Sequence, residues 1–149
     1  KYSLPEKMFG IFPQTPLNPR LPIFRGFDDT FNMPHSRHTE VRREDIERVP
    51  ELEIIAESEQ SGVSIVMARG GREIFVTGHS EYSPNTLDTE YRRDLGKGLP
   101  IQMPYNYYID NDMQKGVRVT WRGHGNLLFT NWLNYYVYQE TPYDINAIQ

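Results

Sequence analysis

The pattern of apolar and polar positions places a group of strands in the middle of the chain. Apolar, β-rich runs predict strands at residues 52–56, 63–68 and 73–76. The dipeptide Gly70-Gly71 separates the second run from the third and predicts a tight hairpin. Residues 74–76 are continuously apolar, which predicts a strand buried on both faces. The residues after this strand are therefore expected at a sheet edge, where ligands commonly bind.

Apolar residues at helical spacing predict two helices in the second half of the chain. Leu87, Tyr91 and Leu95 recur at i, i+4 and i+8, and Gly96 then ends the helix. Residues 126–139 form an apolar run with little polar face, so a second helix is expected there with packing on several sides. Both predicted helices follow the predicted strands in the chain.

The remaining segments are predicted from prolines, caps and polar stretches. Prolines interrupt residues 1–34, so a winding segment is expected with only short extended pieces such as 8–12. Thr39 can cap a short charged helix that Pro50 stops. A polar loop is expected over residues 100–118.

Composition and charge exclude several classes of protein. The 149 residues are 38% hydrophobic and 24% charged, which is typical of one folded unit rather than a disordered chain. Sixteen Lys and Arg against twenty Asp and Glu argue against a nucleic-acid-binding protein. No apolar run approaches the ~20 residues of a membrane span. The opening residues KYSLPEKMFG lack the pattern of a secretory signal, so a cytoplasmic location is expected.

The segment Gly78-His79-Ser80-Glu81, directly after the third strand, is the best candidate for chemistry. Residues two apart in an extended segment project to the same side, so Glu81 can hold one imidazole nitrogen of His79. A histidine base with an orienting carboxylate is part of a catalytic triad. The chain has no Cys to act as the nucleophile. A surface histidine beside a loop glutamate has the same spacing, and the residues alone leave both interpretations open.

Other polar residues are candidates for substrate binding. The Arg93 guanidinium is suited to a carboxylate, and Lys7 offers a point charge, although both are also compatible with ordinary surface cations. His35 and His38 flank Ser36 in a polar cluster. No thiolate and no second histidine pair at ligand spacing accompanies them, so a structural role is favoured over metal binding. The prediction is that the protein has no metal site.

Longer motifs occur in order over essentially the whole chain. They are Glu6-Lys7, Arg25-Gly26-Phe27-Asp28-Asp29, Pro34-His35-Ser36-Arg37, Leu52-Glu53-Ile54 with Ala56-Glu57, Phe75-Val76-Thr77-Gly78-His79 with Glu81-Tyr82, residues 131–139, and Thr141-Pro142-Tyr143-Asp144. Together they resemble the C-terminal half of the homoserine O-acyltransferase family, of the homoserine O-succinyltransferase type. The resemblance implies part of a class I glutamine-amidotransferase-like (flavodoxin-like) three-layer α/β sandwich. Residues 1–149 would be the C-terminal half of this single domain, without the half that bears the nucleophile.

The resemblance also implies an activity: acyl transfer from succinyl-CoA or acetyl-CoA to the hydroxyl of L-homoserine, in methionine biosynthesis. The family forms an acyl-enzyme on a cysteine, uses acyl-CoA as a co-substrate and needs no other cofactor. By position, the family's catalytic histidine and glutamate are His79 and Glu81. Its substrate-binding positions are Lys7, Ser36 and Arg93. The cysteine would precede this chain, so the chain alone is expected to be inactive, and a homodimer is expected for the complete enzyme.

Two alternatives to this function remain. A glutamine amidotransferase or a cysteine hydrolase would use the same kind of triad. A noncatalytic descendant would bind the amino acid without transferring an acyl group. The aromatic stretch at 131–139 and the segment at 25–29 favour the homoserine enzyme, because they match outside the triad. The sequence does not determine which acyl donor is used.

Overall fold

The computed structural model describes residues 1–142 and 144–147, so Tyr143 of the last motif lies outside the described residues. The strands form one antiparallel sheet in the order β2-β1-β3-β4-β5. They are β1 (Tyr2–Pro16), β2 (Phe31–Glu40), β3 (Leu52–Ser58), β4 (Gly62–Ala68) and β5 (Glu73–Val76). The helices are α1 (Arg43–Ile46), α2 (Thr86–Gly96), α3 (Arg122–Trp132), its π-helical continuation Leu133–Val137, and α4 (Tyr138–Glu140). Short 3-10 turns occupy Pro22–Phe24, Arg69–Gly71, Ile109–Asn111 and Ile145–Ala147.

The predicted central strands and their hairpin are confirmed. β3, β4 and β5 cover the three apolar runs, and Ala68 pairs with Glu73 at the end of the hairpin. Gly70 and Gly71 both have positive φ there, at 64° and 94°. Glycine adopts this left-handed conformation without a Cβ clash, which explains why the Gly-Gly pair marks the turn.

The winding first segment predicted from the prolines is wrong. This region contains the two longest strands, β1 of 15 residues and β2 of 10 residues. β2 lies at the edge of the described sheet, and β1 pairs with β3 only at Thr15 and Pro16. The β1–β2 ladder is also irregular between Ser3 and Met8, around Pro5. Proline is tolerated in such edge and irregular positions because no ladder hydrogen bond is lost.

Two further predictions for the first half are corrected. Thr39 caps no helix, because it lies in β2 opposite Ser3; α1 is a single turn whose N-cap is Arg42. β5 is not buried on both faces, since Phe75 is 51% exposed and Val76 39% exposed. The reason is that β5 pairs with β4 and forms the other edge of the described sheet.

The later helices are confirmed with changes in extent and burial. α2 buries Leu87 and Tyr91, but Leu95 at the end of the predicted stripe is 45% exposed. α3 begins at Arg122, four residues before the predicted start at 126. Neighbouring elements cover only part of the surface of α3, and Phe129 on this helix is therefore 48% exposed. Residues 100–118 form the predicted irregular loop apart from one short 3-10 turn.

Two apolar clusters determine where the elements sit. The first packs β2, β3 and β4 against α3 and includes Ile23, Phe24, Phe31, Met33, Ile55, Ile65 and Leu128. The second packs β1 against α2 and the loop at 100–118 and includes Phe9, Ile11, Leu87, Tyr91, Tyr107, Tyr108 and Trp121. The second cluster brings α2 beside β1, which pairs with β2, and this matters for the site described below. No helix within the described residues combines the length and apolar character needed to cross a membrane.

Gly10 offers a direct test of the close approach between β1 and the loop. Its φ is +137°, and a Cβ at this position would overlap the backbone of Tyr105. We expect Gly10→Ala to lower the free energy of unfolding by about 3 kcal/mol, because backbone atoms cannot move aside as a side chain can. Urea-induced unfolding measures this change. Gly96→Ala is the matched control, since nothing lies within 4 Å of its Cβ position, and an equal loss there would contradict the explanation.

Candidate active site

His79 is held where the chain leaves β5 and crosses to β2. The Thr77 amide donates to Ser64 O at 2.9 Å, and the His79 amide donates to Pro34 O at 2.7 Å. Gly78 lies between them, and a Cβ there would come within 2.5 Å of the Met33 sulfur. Glycine therefore permits the close crossing that anchors the backbone of His79 against β2.

The structure places the His79 and Glu81 side chains in contact, but the segment that holds them is a turn rather than the extended stretch expected from the sequence. His79 Nδ1 lies 2.8 Å from Glu81 Oε1. The two side chains are 38% and 56% exposed, so both can be reached from solvent. Because the carboxylate holds Nδ1, Nε2 is the nitrogen available for proton transfer to and from a reacting group. Their catalytic role stays a prediction.

The three residues predicted to bind substrate meet at one carboxylate, Glu90. Lys7 Nζ lies 2.6 Å from Glu90 Oε1, and the Ser36 hydroxyl donates to Glu90 Oε2 at 2.8 Å. Arg93 Nη2 lies 3.6 Å from Glu90 Oε1. Lys7 comes from β1, Ser36 from β2 and Arg93 from α2. We call Lys7, Ser36, Glu90 and Arg93 the Glu90 cluster.

Glu90 was not predicted from the sequence. The available signal was its position three residues before Arg93, which places the two side chains on one helical face. Such pairs are common on solvated helices and do not by themselves indicate a site. The contacts that set Glu90 apart come from Lys7 and Ser36, which are 83 and 54 residues away in the chain.

Asp94 orients the Arg93 guanidinium. Arg93 Nε donates to Asp94 Oδ1 at 2.7 Å. This hydrogen bond lowers the pKa of Asp94 below its usual value and raises the pKa of Arg93. Both groups therefore stay charged at neutral pH. With Nε held by Asp94, Nη2 of Arg93 lies toward Glu90, and the guanidinium can meet a carboxylate there.

Two structural links join the His79–Glu81 pair to the Glu90 cluster. On β2, Pro34 O receives the His79 amide, and Ser36 two residues later contacts Glu90. The Tyr82 ring stacks on the His79 imidazole with 4.3 Å between ring centroids and 9° between planes, and the nearby Glu90 carboxylate contributes to raising the pKa of Tyr82. The pair and the cluster thus belong to one site at the junction of β2, α2 and the segment after β5.

The histidines near Ser36 do not resemble metal ligands. His35 is fully buried, and burial lowers its pKa to about 3, with smaller effects from Arg37 and His79. His35 Nδ1 accepts a hydrogen bond from Arg37 Nε at 3.3 Å, whereas His38 is exposed. Within residues 1–142 and 144–147, no three His, Cys, Asp or Glu side chains are grouped closely enough to hold a metal ion. These observations favour a structural role for His35.

Open pockets lie on both sides of the site. One, of about 640 Å³, is lined by Lys7 and Asp94 together with Phe9 and Leu99. Another, of about 430 Å³, is lined by Glu81 and Tyr82 together with residues near the start of α3. Charged groups of the site therefore face space that a small molecule or another segment of protein can occupy.

Comparison with known proteins identifies the family. The sequence model of the family described as homoserine O-succinyltransferase matches residues 1–143. The chain belongs to the homoserine O-succinyltransferase family. The resemblance carried by the sequence motifs is therefore confirmed.

The curated relatives in this family are longer than this chain. The chain is 70% identical over all 149 residues to a homoserine O-acetyltransferase from Bacteroides thetaiotaomicron, of which it covers 49%. It is 64% identical over 146 residues to a homoserine O-acetyltransferase from Brevibacillus brevis, of which it covers 48%. The chain thus spans about half the length of the curated relatives it matches.

A solved structure supports the predicted fold class. A glutamine amidotransferase from Thermotoga maritima matches with a TM-score of 0.53 and 12% identity, over 89% of this chain and 52% of that one. At this identity the likeness shows the fold alone. The predicted amidotransferase-like α/β fold is confirmed. In this chain the fold comprises the antiparallel sheet and the helices described above.

Proposed function

We propose that the complete protein transfers an acyl group from acyl-CoA to the hydroxyl of L-homoserine. The observation that carries this proposal is the meeting of Lys7, Ser36 and Arg93 at Glu90, beside the His79–Glu81 pair. Family membership supports it, and so do the names of the relatives. The acyl group would be carried by a cysteine in the part of the enzyme that this chain does not contain.

The charges of the Glu90 cluster suit an α-amino acid. Homoserine carries an ammonium and a carboxylate on one carbon, and Glu90 and Arg93 offer opposite charges one helical turn apart. In the proposed complex the substrate carboxylate pairs with Arg93, and the ammonium pairs with Glu90 in competition with Lys7. Ser36 then hydrogen-bonds the substrate close to its amine or hydroxyl.

His79 serves both half-reactions in the proposed mechanism. It removes the thiol proton as the cysteine sulfur attacks the thioester carbonyl. It then gives that proton to the departing CoA thiolate, so that CoA leaves as a thiol. It then removes the hydroxyl proton of homoserine as the oxygen attacks the acyl-enzyme, and the cysteine leaves as a thiol. Glu81 keeps Nδ1 protonated and stabilises the imidazolium formed in each half-reaction.

The acyl donor is proposed to be acetyl-CoA. Its support is that the Bacteroides and Brevibacillus relatives are both called O-acetyltransferases. The family description instead names the succinyl reaction, so both donors belong in the test. A homodimer and a cytoplasmic location stay predictions, as does the expectation that no cofactor is needed beyond acyl-CoA as co-substrate.

Denaturing intact-mass spectrometry of the complete protein tests the proposal. The protein is incubated separately with acetyl-CoA and succinyl-CoA, and then with homoserine. We expect a covalent acetyl adduct that homoserine discharges as an O-acyl ester. A succinyl adduct would correct the donor, and an adduct discharged by water alone would indicate a cysteine hydrolase. Homoserine binding without an adduct would indicate a noncatalytic descendant.

Arg93→Lys tests the assignment of the carboxylate partner. We expect the KM for homoserine to rise about tenfold or more with a smaller change in kcat, because an ammonium cannot replace the two-point contact of a guanidinium. Steady-state kinetics at varied homoserine measures this. Arg92→Lys is the matched control, since Arg92 is paired with Asp88 at 2.9 Å, away from the cluster. Equal KM values for Arg93→Lys and the parent enzyme would refute the assignment.

A further inference from the structure

The Tyr82 ring stacks on the imidazole of His79, and separate hydrogen bonds hold the Tyr82 backbone in place. The two rings are nearly parallel, at 9°, with 4.3 Å between centroids. The Tyr82 amide donates to His79 O at 3.2 Å, and Tyr82 O accepts a hydrogen bond from the Trp121 indole at 3.0 Å. Trp121 is 1% exposed and belongs to the second apolar cluster. Tyr82 is therefore tied to both His79 and the protein core.

Stacking on a ring face supplies a restraint that Glu81 does not supply. The hydrogen bond to Nδ1 holds one edge of the imidazole but permits rotation about the line joining Nδ1 to the carboxylate. An aromatic ring parallel to the imidazole opposes that rotation, because tilting would separate the faces. The π face of a tyrosine also attracts a cation placed over it.

We propose that Tyr82 is a positioning residue that fixes the plane of the His79 imidazole and stabilises its imidazolium form through the stacked ring. The inference rests on the proposed function, in which His79 is the general base. Each proton that His79 accepts produces an imidazolium against the Tyr82 face. Tyr82 touches neither substrate nor reacting atoms in this proposal and acts through His79.

The charge state of Tyr82 is suited to this role. Burial raises the pKa of its hydroxyl above the usual value, and the Glu90 and Glu81 carboxylates add to the effect. The phenol therefore stays neutral in the working range of a histidine base. Glu81, at 2.8 Å, and the buried His35 of β2, whose pKa His79 helps to lower, are titratable groups that also lie near His79. Both are unchanged in the variants proposed below.

The test compares Tyr82→Leu and Tyr82→Phe in the complete protein. Leucine keeps an apolar side chain over the imidazole but removes the π face, whereas phenylalanine keeps the face and removes only the hydroxyl. Diethyl pyrocarbonate reacts with neutral imidazole, so peptide mass spectrometry of His79 at a series of pH values reports its protonation. The pH at which the modification rate of His79 reaches half its maximum, its midpoint, is compared between variants. Altered access of the reagent to His79 changes only the maximum rate and not this midpoint. The exposed His38 in the same samples is the internal control.

We expect the His79 midpoint in Tyr82→Leu to move to lower pH, since the imidazolium loses the attraction of the ring. Acyl transfer should fall by about threefold to tenfold for the same reason. Tyr82→Phe should have the His79 midpoint and the acyl-transfer rate of the parent protein. The His38 midpoint should be the same in all variants. If Tyr82→Leu does not fold, Tyr82→Met removes the ring with a different shape.

Two results would overturn the inference: an unmoved His79 midpoint in the aliphatic variants, or a midpoint in Tyr82→Phe that follows the leucine variant. The first result would overturn the inference even if acyl transfer fell, because the stacked ring would then not stabilise the imidazolium. The midpoint is measured without substrate. Failure of the parent protein to form an acyl adduct would therefore refute the proposed function separately.

Discussion

The His79→Ala variant of the complete protein is expected to lose both acyl-enzyme formation and transfer to homoserine, with kcat at least ~10⁴-fold lower. Both half-reactions need a proton acceptor, and the contact of Nδ1 with Glu81 at 2.8 Å leaves Nε2 to act in each. Rapid-quench measurement of the acyl-enzyme burst, followed by steady-state assay, tests the two steps separately.

A matched chemical control separates loss of the base from loss of the fold. His79 is 38% exposed, so its removal should change the urea unfolding midpoint little, and added imidazole should restore part of the activity. A normal burst in His79→Ala would refute its role as general base. Loss of activity together with an early unfolding transition would assign the effect to the fold.

The second large effect is expected from Glu81→Gln. Glutamine retains the size of the side chain and a hydrogen-bonding oxygen but removes the charge that stabilises the imidazolium. We expect kcat to fall about 10²- to 10⁴-fold with little change in the KM for homoserine. The reason for the unchanged KM is that the Glu90 cluster, which is proposed to bind the amino acid, stays intact.

Glu90→Gln provides the contrasting variant. Glu90 and Glu81 are both glutamates of the same site, but Glu90 contacts Lys7, Ser36 and Arg93 rather than the histidine. Its substitution should mainly raise the KM for homoserine. Steady-state kinetics of both variants at varied homoserine distinguishes the roles. Similar changes in kcat and KM for the two variants would contradict the division of the site into the His79–Glu81 pair, which acts on protons, and an amino-acid pocket at Glu90.

The parts of the fold that were predicted correctly depend on neighbours in the sequence. β3, β4 and β5 follow from short apolar runs, the hairpin from Gly70 and Gly71, and α2 from the spacing of Leu87 and Tyr91. In each case the backbone preference and the period of the side chains act over a few residues.

The incorrect predictions depend on partners that are distant in the sequence. Prolines in residues 1–34 argue locally against strands, yet β1 and β2 form because they pair with each other at positions where proline is tolerated. Residues 74–76 were expected to be covered on both faces because they are apolar. The pairing of β5 with β4 alone, at the edge of the described sheet, leaves Phe75 and Val76 exposed instead.

By itself the sequence indicated that Glu81 could hold an imidazole nitrogen of His79, although the contact forms across a turn closed by the Tyr82 amide and His79 O rather than along an extended segment. It also determined family membership through motifs along the whole chain. Only the tertiary structure decided that Lys7, Ser36 and Arg93 meet at Glu90, and that Tyr82 covers the imidazole. These contacts require α2 to pack against β1 through the second apolar cluster while β1 pairs with β2, and no local spacing specifies that packing.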